Sequence, residues 1–263
     1  MTSNNSDIPV VIFCGGQGTR MKEETEFKPK PMVLLGNKPI LWHVMKIYAH
    51  HGFNNFIIAL GYKGDYIKDY FLKQEYFTYD FTINTKSGDK NLHKKNDKKN
   101  DEFKITFVNT GVETLTAERL LRVKKYINSD RFMVTYGDGV GDIDLKKLVK
   151  FAQSRDKIGV ITGVHPKSKW GLVEADVKNH VIRFQQKPKL NQYVNGGFMI
   201  FKKDFFKYLK PREMIEQSLE KLIKDKQLLV HYHDGFWSAM DTYQDVEEMN
   251  KLWKKDPKWK VWK

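Results

Sequence analysis

The sequence predicts an α/β fold, a mostly parallel central sheet flanked by helices with a smaller β-rich portion in its second half. Two observations carry this. Apolar runs of strand length alternate with stretches whose apolar residues recur at helical spacing, the pattern of β-α units that cover a parallel sheet on both faces. After Gly163 the texture changes to short extended pieces separated by polar turns.

Taken in order, Val10 to Cys14 reads as a buried strand. "PILWHVMKIYAHHG" sets Leu41, Val44, Met45 and Tyr48 on one helical face, with Gly52 as the stop. "NFIIAL" is a second strand, "DYIKDYFLK" a short helix, "KITFVNT" a third strand, "TAERLLRVKKYI" a helix and "RFMVTYGDG" a fourth strand. "IDLKKLVKFAQS" and "IGVITGV" continue the alternation. "WGLVEAD", "VIRFQQKP" and "NGGFMIF" form the β-rich part beside the expected ligand cleft. A helix from about Arg212 to Lys226, the strands "LLVHYH" and "FWSAMDT", and a last helix over "TYQDVEEMNKLW" follow. No internal repeat is present, and residues 1–263 read as a single domain.

Composition narrows the function classes. The longest apolar stretches, such as Phe56 to Leu60, fall far short of the roughly 20 residues a membrane span needs. Met1 to Pro9 is polar rather than signal-like. One cysteine, Cys14, excludes an intramolecular disulfide and fits a reducing compartment. A cytoplasmic protein with no membrane partner is therefore expected. The net charge of +14 invites a nucleic-acid reading. Much of the excess sits in "KNLHKKNDKKNDEFK" from Lys90 and in the C-terminal "KLWKKDPKWKVWK", neither of which holds a nucleic-acid fold signature. A solvated loop and a basic tail are expected, with no nucleic-acid partner.

The chemistry concentrates after the first strand, in "CGGQGTRMKEETEFKPKPM". Ligands of open α/β sheets bind beyond the carboxyl ends of the strands, where glycines let backbone amides approach phosphate oxygens. No Gly-Lys-Ser/Thr closes the loop, so it is not a Walker A motif, and Met21 stands where a dinucleotide fingerprint needs its third glycine. Gly-x-Gly alone would be an ordinary tight turn. Arg20, Lys28 and Lys30 lift it, the last held between Pro29 and Pro31 at low entropic cost. The combination describes a triphosphate cradle.

"GGQGTRMKEETEFKPKPM" resembles the signature of the sugar-1-phosphate nucleotidyltransferases, and "KPILWHVMKIYAHHGFNNFIIALGYKGDYIKDYF" resembles their glucose-1-phosphate cytidylyltransferase branch. "TYGDGVGDID", "FQQKP", "NGGF" and "GFWSAMDT" follow in the family's order, so the resemblance spans nearly the whole chain. It implies a Rossmann-like nucleotidyltransferase fold, Mg²⁺, pyrophosphate release and a homo-oligomer, with CTP and a sugar 1-phosphate as substrates. It also implies a division of labour, residues 1–162 mainly for the nucleotide and 163–263 mainly for the sugar phosphate. Gly15, Gly16, Gly18, Thr19 and Arg20 match the nucleotide loop, and Lys30 the lysine of its Lys-Pro-Lys-Pro segment. Thr116, Arg119 and Gly137 match nucleotide-contacting positions. Asp138 and Asp241 match the metal-holding aspartates. Lys187 matches the sugar-phosphate lysine, and Asn195, Gly196 and Gly197 the sugar-side turn. Arg20, Lys30 and Lys187 are the expected catalytic cations.

Departures and alternatives remain. Ala117 and Glu118 replace two glycines of the family pattern, putting side chains where a ligand would approach closely. Ser238 and Ala239 stand in place of glutamine and proline, which reshapes the acceptor pocket and admits another phosphorylated acceptor. Asp138 between two glycines also suits a plain turn, and Lys187 before Pro188 a surface loop. Cys14 reads as a small buried thiol rather than a nucleophile. His231 and His233 are a possible metal pair lacking a third ligand, and Trp253, Trp259 and Trp262 could stack bases or dock the C-terminal helix.

Overall fold

The computed structural model describes residues 8–18, 21, 25–93 and 102–262. Strand β1 (Val10–Cys14) is followed by the small hairpin β2 (Leu34–Leu35) and β3 (Lys38–Pro39), then helix α1 (Ile40–His50). Next come β4 (Asn55–Leu60), α2 (Gly64–Thr78), the hairpin β5 (Phe81–Ile83) and β6 (Lys90–Leu92), then β7 (Lys104–Asn109), α3 (Thr116–Val123) and β8 (Arg131–Tyr136). β9 (Gly139–Gly141), α4 (Leu145–Gln153), β10 (Gly159–Val164), β11 (Leu172–Ala175), β12 (Val181–Gln185) and β13 (Val194–Lys202) lead on. The chain closes with α5 (Ile215–Lys224), β14 (Leu228–His233), β15 (Trp237–Ala239) and α6 (Tyr243–Lys255).

Seven strands form one sheet in the order β14-β10-β13-β8-β1-β4-β7. β1 runs parallel to β4 and β8, β4 to β7, and β10 to β14, while β13 alone is antiparallel to its neighbours β8 and β10. The two-residue period of a strand divides the core in two. Val10, Ile12 and Cys14 face one apolar cluster with α1, α4 and α6. Val11 and Phe13 face the other with α3 and α5. Every residue of β1 is buried, so both faces are covered, as a parallel sheet requires.

Two sequence expectations shift. "NGGFMIF" is not part of a peripheral β-layer: Gly196 to Phe201 are all buried, and β13 enters the middle of the main sheet. The separate β-rich portion is the hairpin β11–β12, whose Val177, Ile182 and Phe184 are exposed. "RFMVTYGDG" and "FWSAMDT" each stop early as strands, because β9 and β15 pair with one another instead, Trp237 opposite Gly141 and Ala239 opposite Gly139. The Lys90 segment contributes β6, and its lysine-rich continuation lies outside the described residues.

The C-terminal tryptophans dock on the body. Trp259 is fully buried, and its Nε1–H donates to Nδ1 of the buried His43 at 3.4 Å. The other ring nitrogen, Nε2, donates to the Leu35 carbonyl at 2.8 Å. That pattern assigns the neutral tautomer with the proton on Nε2. Trp42, Trp253 and Trp262 pack around the same ring. A Cβ at Gly36, whose φ is +66°, would lie 2.1 Å from the Trp253 indole nitrogen, so only glycine admits this closure.

Candidate active site

β1 and β8 are parallel neighbours, so their carboxyl ends open side by side. The Gly137 N–H donates to the Phe13 carbonyl at 3.1 Å, which sets Gly137 and Asp138 beside the loop that follows Cys14. A Cβ at Gly137 would come within 2.9 Å of the Cys14 sulfur, so the two turns approach as closely as they do only without a side chain there. The pairing of β15 with β9 then delivers Asp241: the Met240 N–H donates to the Asp138 carbonyl at 2.9 Å. Thr242 and Asp245 form a reciprocal cap that starts α6, and the Asp245 carboxylate also accepts the Asp241 N–H at 3.0 Å. Asp138 and Asp241, about a hundred residues apart in sequence, thus share one corner.

Lys30 fills that corner. It begins a 3-10 turn, Lys30–Met32, entered through extended Pro29 (φ −70°, ψ 151°). Its Nζ stands 2.5 Å from Asp138 Oδ2 and 2.9 Å from Asp241 Oδ1. Burial works against the ammonium's charge, yet the Asp138 carboxylate, with Asp241, holds its pKa above the ordinary lysine value. Burial likewise opposes the charge of Asp241, and Lys30 outweighs it, keeping that carboxyl below the usual carboxylate range.

A cleft of about 540 Å³ opens above this corner. Gly15, Gly16, Gly18, Lys30, Gly137 and Asp138 line it together with Glu113, Leu115, Thr116, Arg119, Tyr136, Met214 and Asp241. Gln17 Nε2 donates to Glu113 Oε1 at 3.2 Å, joining the glycine loop to the loop before α3. Sequence reading missed Glu113, Leu115 and Tyr136 as wall residues. Met214 arrives from a distant turn and had no local signal at all.

A second cleft of about 640 Å³ adjoins the first. It holds Lys169, Lys187, Trp237, Ser238 and Glu248, and Asp241 lines both clefts. Lys187 sits in the left-handed region at φ 48°. A non-glycine residue held there costs on the order of 1 kcal/mol. Its Nζ lies 3.6 Å from Glu248 Oε1.

Asn195, Gly196 and Gly197 line neither cleft, and Arg119 and Thr116 also serve as structural supports. Asn195, Gly196 and Gly197 stand behind the walls: the Gly196 carbonyl accepts from Trp237 Nε1 at 2.8 Å, and a Cβ at Gly197 would meet the Tyr136 ring at 2.8 Å. Arg119 is buried, and its terminal N–H groups donate to the carbonyls of Leu60, Gly111, Gly15 and Val112 and to Thr110 Oγ1. It braces the loops that follow β1, β4 and β7. Thr116 Oγ1 accepts the Ile215 N–H at 2.7 Å. The two family glycine positions do not obstruct the cleft: Ala117 is buried in the core, and Glu118 turns away to Arg122 and the Arg212 N–H. Thr19 and Arg20 lie outside the described residues. Cys14 is buried and burial pushes its thiol pKa up, which suits a packed side chain and not a nucleophile.

The donor set fits Mg²⁺. Asp138 and Asp241, which both meet the Lys30 ammonium, are hard oxygen donors, and Mg²⁺ takes one or two protein carboxylates and completes its shell with water and phosphate oxygens. Among the described residues no group of three or more His, Cys, Asp and Glu is placed to hold a metal, so His231 and His233 gain no third ligand there. His233 is bonded to Asp142 and His231 packs on Phe151.

The chain is similar to known proteins. Residues 9–258 match the model of the nucleotidyl transferase family, and the chain belongs to that family. A Bacillus subtilis (strain 168) protein named "Probable glucose-1-phosphate cytidylyltransferase" is 41% identical over 97% of this chain and 100% of the relative. The glucose-1-phosphate cytidylyltransferase of Salmonella typhimurium is 38% identical, again over 97% and 100%. Among solved structures, HddC from Yersinia pseudotuberculosis superposes with a TM-score of 0.67 at 24% identity, covering 93% of this chain and 98% of that one, a likeness of fold. No helix among the described residues is long and apolar enough to cross a membrane.

Proposed function

We propose that the protein transfers the cytidylyl group of CTP to a sugar 1-phosphate, glucose 1-phosphate in the first instance, releasing CDP-sugar and pyrophosphate for surface polysaccharide synthesis. The observation that carries this is the Asp138–Lys30–Asp241 corner, where a glycine-walled cleft meets a lysine-lined one. The 37–41% identity to glucose-1-phosphate cytidylyltransferases over nearly the whole chain supports the choice of substrates.

In the reaction an oxygen of the acceptor phosphate attacks the α-phosphorus of the nucleotide. The bond from that phosphorus to the bridging oxygen breaks, and pyrophosphate departs. Two anions must be brought together in line, so the protein's contribution is alignment and charge neutralisation, with no covalent nucleophile. The amides of Gly15, Gly16 and Gly18, with Lys30 and Arg20, take the triphosphate, while Thr116 and Gly137 shape the nucleotide wall and Arg119 supports it. Lys187 takes the acceptor phosphate, and the Asn195–Gly197 turn supports both clefts from behind, the Gly196 carbonyl bonding Trp237 of the second and Gly197 lying against Tyr136 of the first. Mg²⁺ held by Asp138 and Asp241 would neutralise charge on the phosphates. Residues 1–162 then serve mainly the nucleotide and 163–263 mainly the acceptor, within one domain that works as a homo-oligomer.

The test is a matrix of nucleoside triphosphates against sugar 1-phosphates and other phosphorylated acceptors, read as Mg²⁺-dependent pyrophosphate release. CTP with glucose 1-phosphate is expected to exceed other pairs at least tenfold in kcat/KM. A different acceptor winning with CTP would move only the sugar assignment, which the small Ser238 and Ala239 leave open. A different triphosphate winning would overturn the cytidylyl assignment.

A further inference from the structure

We propose that Lys169 is a second cationic anchor for the acceptor's phosphate, the acceptor-side counterpart of Lys30. The inference rests on the reading of the second cleft as the sugar-phosphate site.

Asp241 is flanked by an ammonium from each cleft. Lys30 Nζ lies 2.9 Å from its Oδ1 on the nucleotide side, and Lys169 Nζ lies 3.4 Å from its Oδ2 on the acceptor side. The two lysines are held very differently. Lys30 is 16% exposed and bonded to two carboxylates, whereas Lys169 is 52% exposed and makes one long contact. A half-exposed ion pair of that length contributes little to stability, so Lys169 can leave Asp241 for a stronger anion at little cost.

Backbone bonds aim Lys169 where such an anion would sit. The Ser168 N–H donates to the Pro188 carbonyl at 2.8 Å, and the Leu190 N–H donates to the Pro166 carbonyl at 2.9 Å. Lys167 and Lys189 form a bridge between the same two segments. Lys169 and Lys187 are thereby presented into one cleft from two segments tied together. A phosphate monoester near neutral pH carries close to two negative charges, and one lysine leaves much of that uncompensated. Two lysines beside the carboxylate that faces the nucleotide would match the dianion and keep its attacking oxygen next to the first cleft.

The experiment compares the wild type with Lys169→Ala and Lys169→Arg. It measures steady-state pyrophosphate release and, separately, calorimetric titration with glucose 1-phosphate and with inorganic phosphate. Lys169→Ala should raise KM for glucose 1-phosphate tenfold or more with KM for CTP within twofold, and weaken both titrations by a similar factor. Lys169→Arg should recover most of the loss. A lysine that only braces Asp241 would instead shift the Mg²⁺ requirement and leave acceptor affinity unchanged, and that result overturns the inference. If the wild type releases no pyrophosphate with any sugar phosphate, the functional reading fails. The phosphate titration then decides the inference by itself, loss of affinity in Lys169→Ala supporting it and equal affinity overturning it.

Discussion

At the residue scale the site turns on charges held against burial. Asp138 and Asp241 offset the cost of desolvating Lys30, so replacing either carboxylate with its amide removes a counter-charge and the proposed metal ligand while preserving shape. Asp138→Asn and Asp241→Asn are each expected to lose at least a hundredfold in turnover at limiting Mg²⁺, with circular dichroism unchanged. Near-normal rates in both would remove them from the chemistry. Arg119 has the opposite profile. Its guanidinium bonds the Gly15, Leu60, Gly111 and Val112 carbonyls from a buried position; in Arg119→Ala the Gly15 carbonyl keeps the Tyr62 N–H and the Leu60 carbonyl keeps Thr110, while those of Gly111 and Val112 lose their donor. A destabilisation of about 2–4 kcal/mol is expected from urea unfolding. Loss of nucleotide affinity should accompany it, because the glycine loop loses its support. Full stability in the variant would show that the carbonyls find water instead. The sequence made Asp138, Lys30 and Asp241 legible because each sits in a short motif with a chemical reason. It did not reveal Arg119 as a brace, since an arginine's partners depend on which loops the fold brings beneath it.

At the element scale, the closure of the C-terminal segment over α1 depends on one uncharged imidazole. Burial drives the pKa of His43 down to about 4, against 6.5 for an ordinary histidine. The folded state therefore binds its proton less readily than the unfolded chain does. The stabilisation is complete above about pH 6.5 and is lost as pH falls from there toward about 4, at roughly 1.4 kcal/mol per unit. Protonation would also place a proton on Nδ1, opposite the Trp259 N–H it now accepts from. Unfolding followed by circular dichroism at pH 7, 5.5 and 4.5 should show this loss. His43→Gln should be less stable at pH 7 yet decline less on acidification, and an identical decline in both proteins would exclude His43 as the cause. The helices and strands around it were legible from period and punctuation, as Leu41, Val44, Met45 and Tyr48 all enter the core. The course of β13 was not, because a uniformly apolar run reads the same in a peripheral layer as in the centre of a sheet.

At the scale of the whole molecule the proposal includes a homo-oligomer. Multi-angle light scattering should give a mass that is a multiple of the 31.0 kDa chain, and a fully active 31.0 kDa species would remove the oligomer from the proposal. The α/β class and the order of its units followed from alternation along the sequence. The pairing order followed less directly, because β13 returns antiparallel between β8 and β10 and no local pattern encodes that insertion. The adjoining of two clefts at Asp241 is likewise a property of the assembled sheet. It depends on β9 meeting β15 from the far end of the chain.

The clustering of tryptophans around His43 has a spectroscopic consequence. Of six indoles in the chain, Trp42, Trp253, Trp259 and Trp262 gather at the closure, while Trp237 lines the second cleft and Trp170 follows Lys169 in the chain. Intrinsic emission therefore comes from two separate places. Trp170, 75% exposed, should emit at longer wavelength and be quenched by iodide, whereas fully buried Trp259 should be shielded from it. Replacing Trp237 and Trp170 with phenylalanine would leave a protein whose fluorescence follows the closure alone, and restoring Trp237 would return a signal that responds to what enters the cleft.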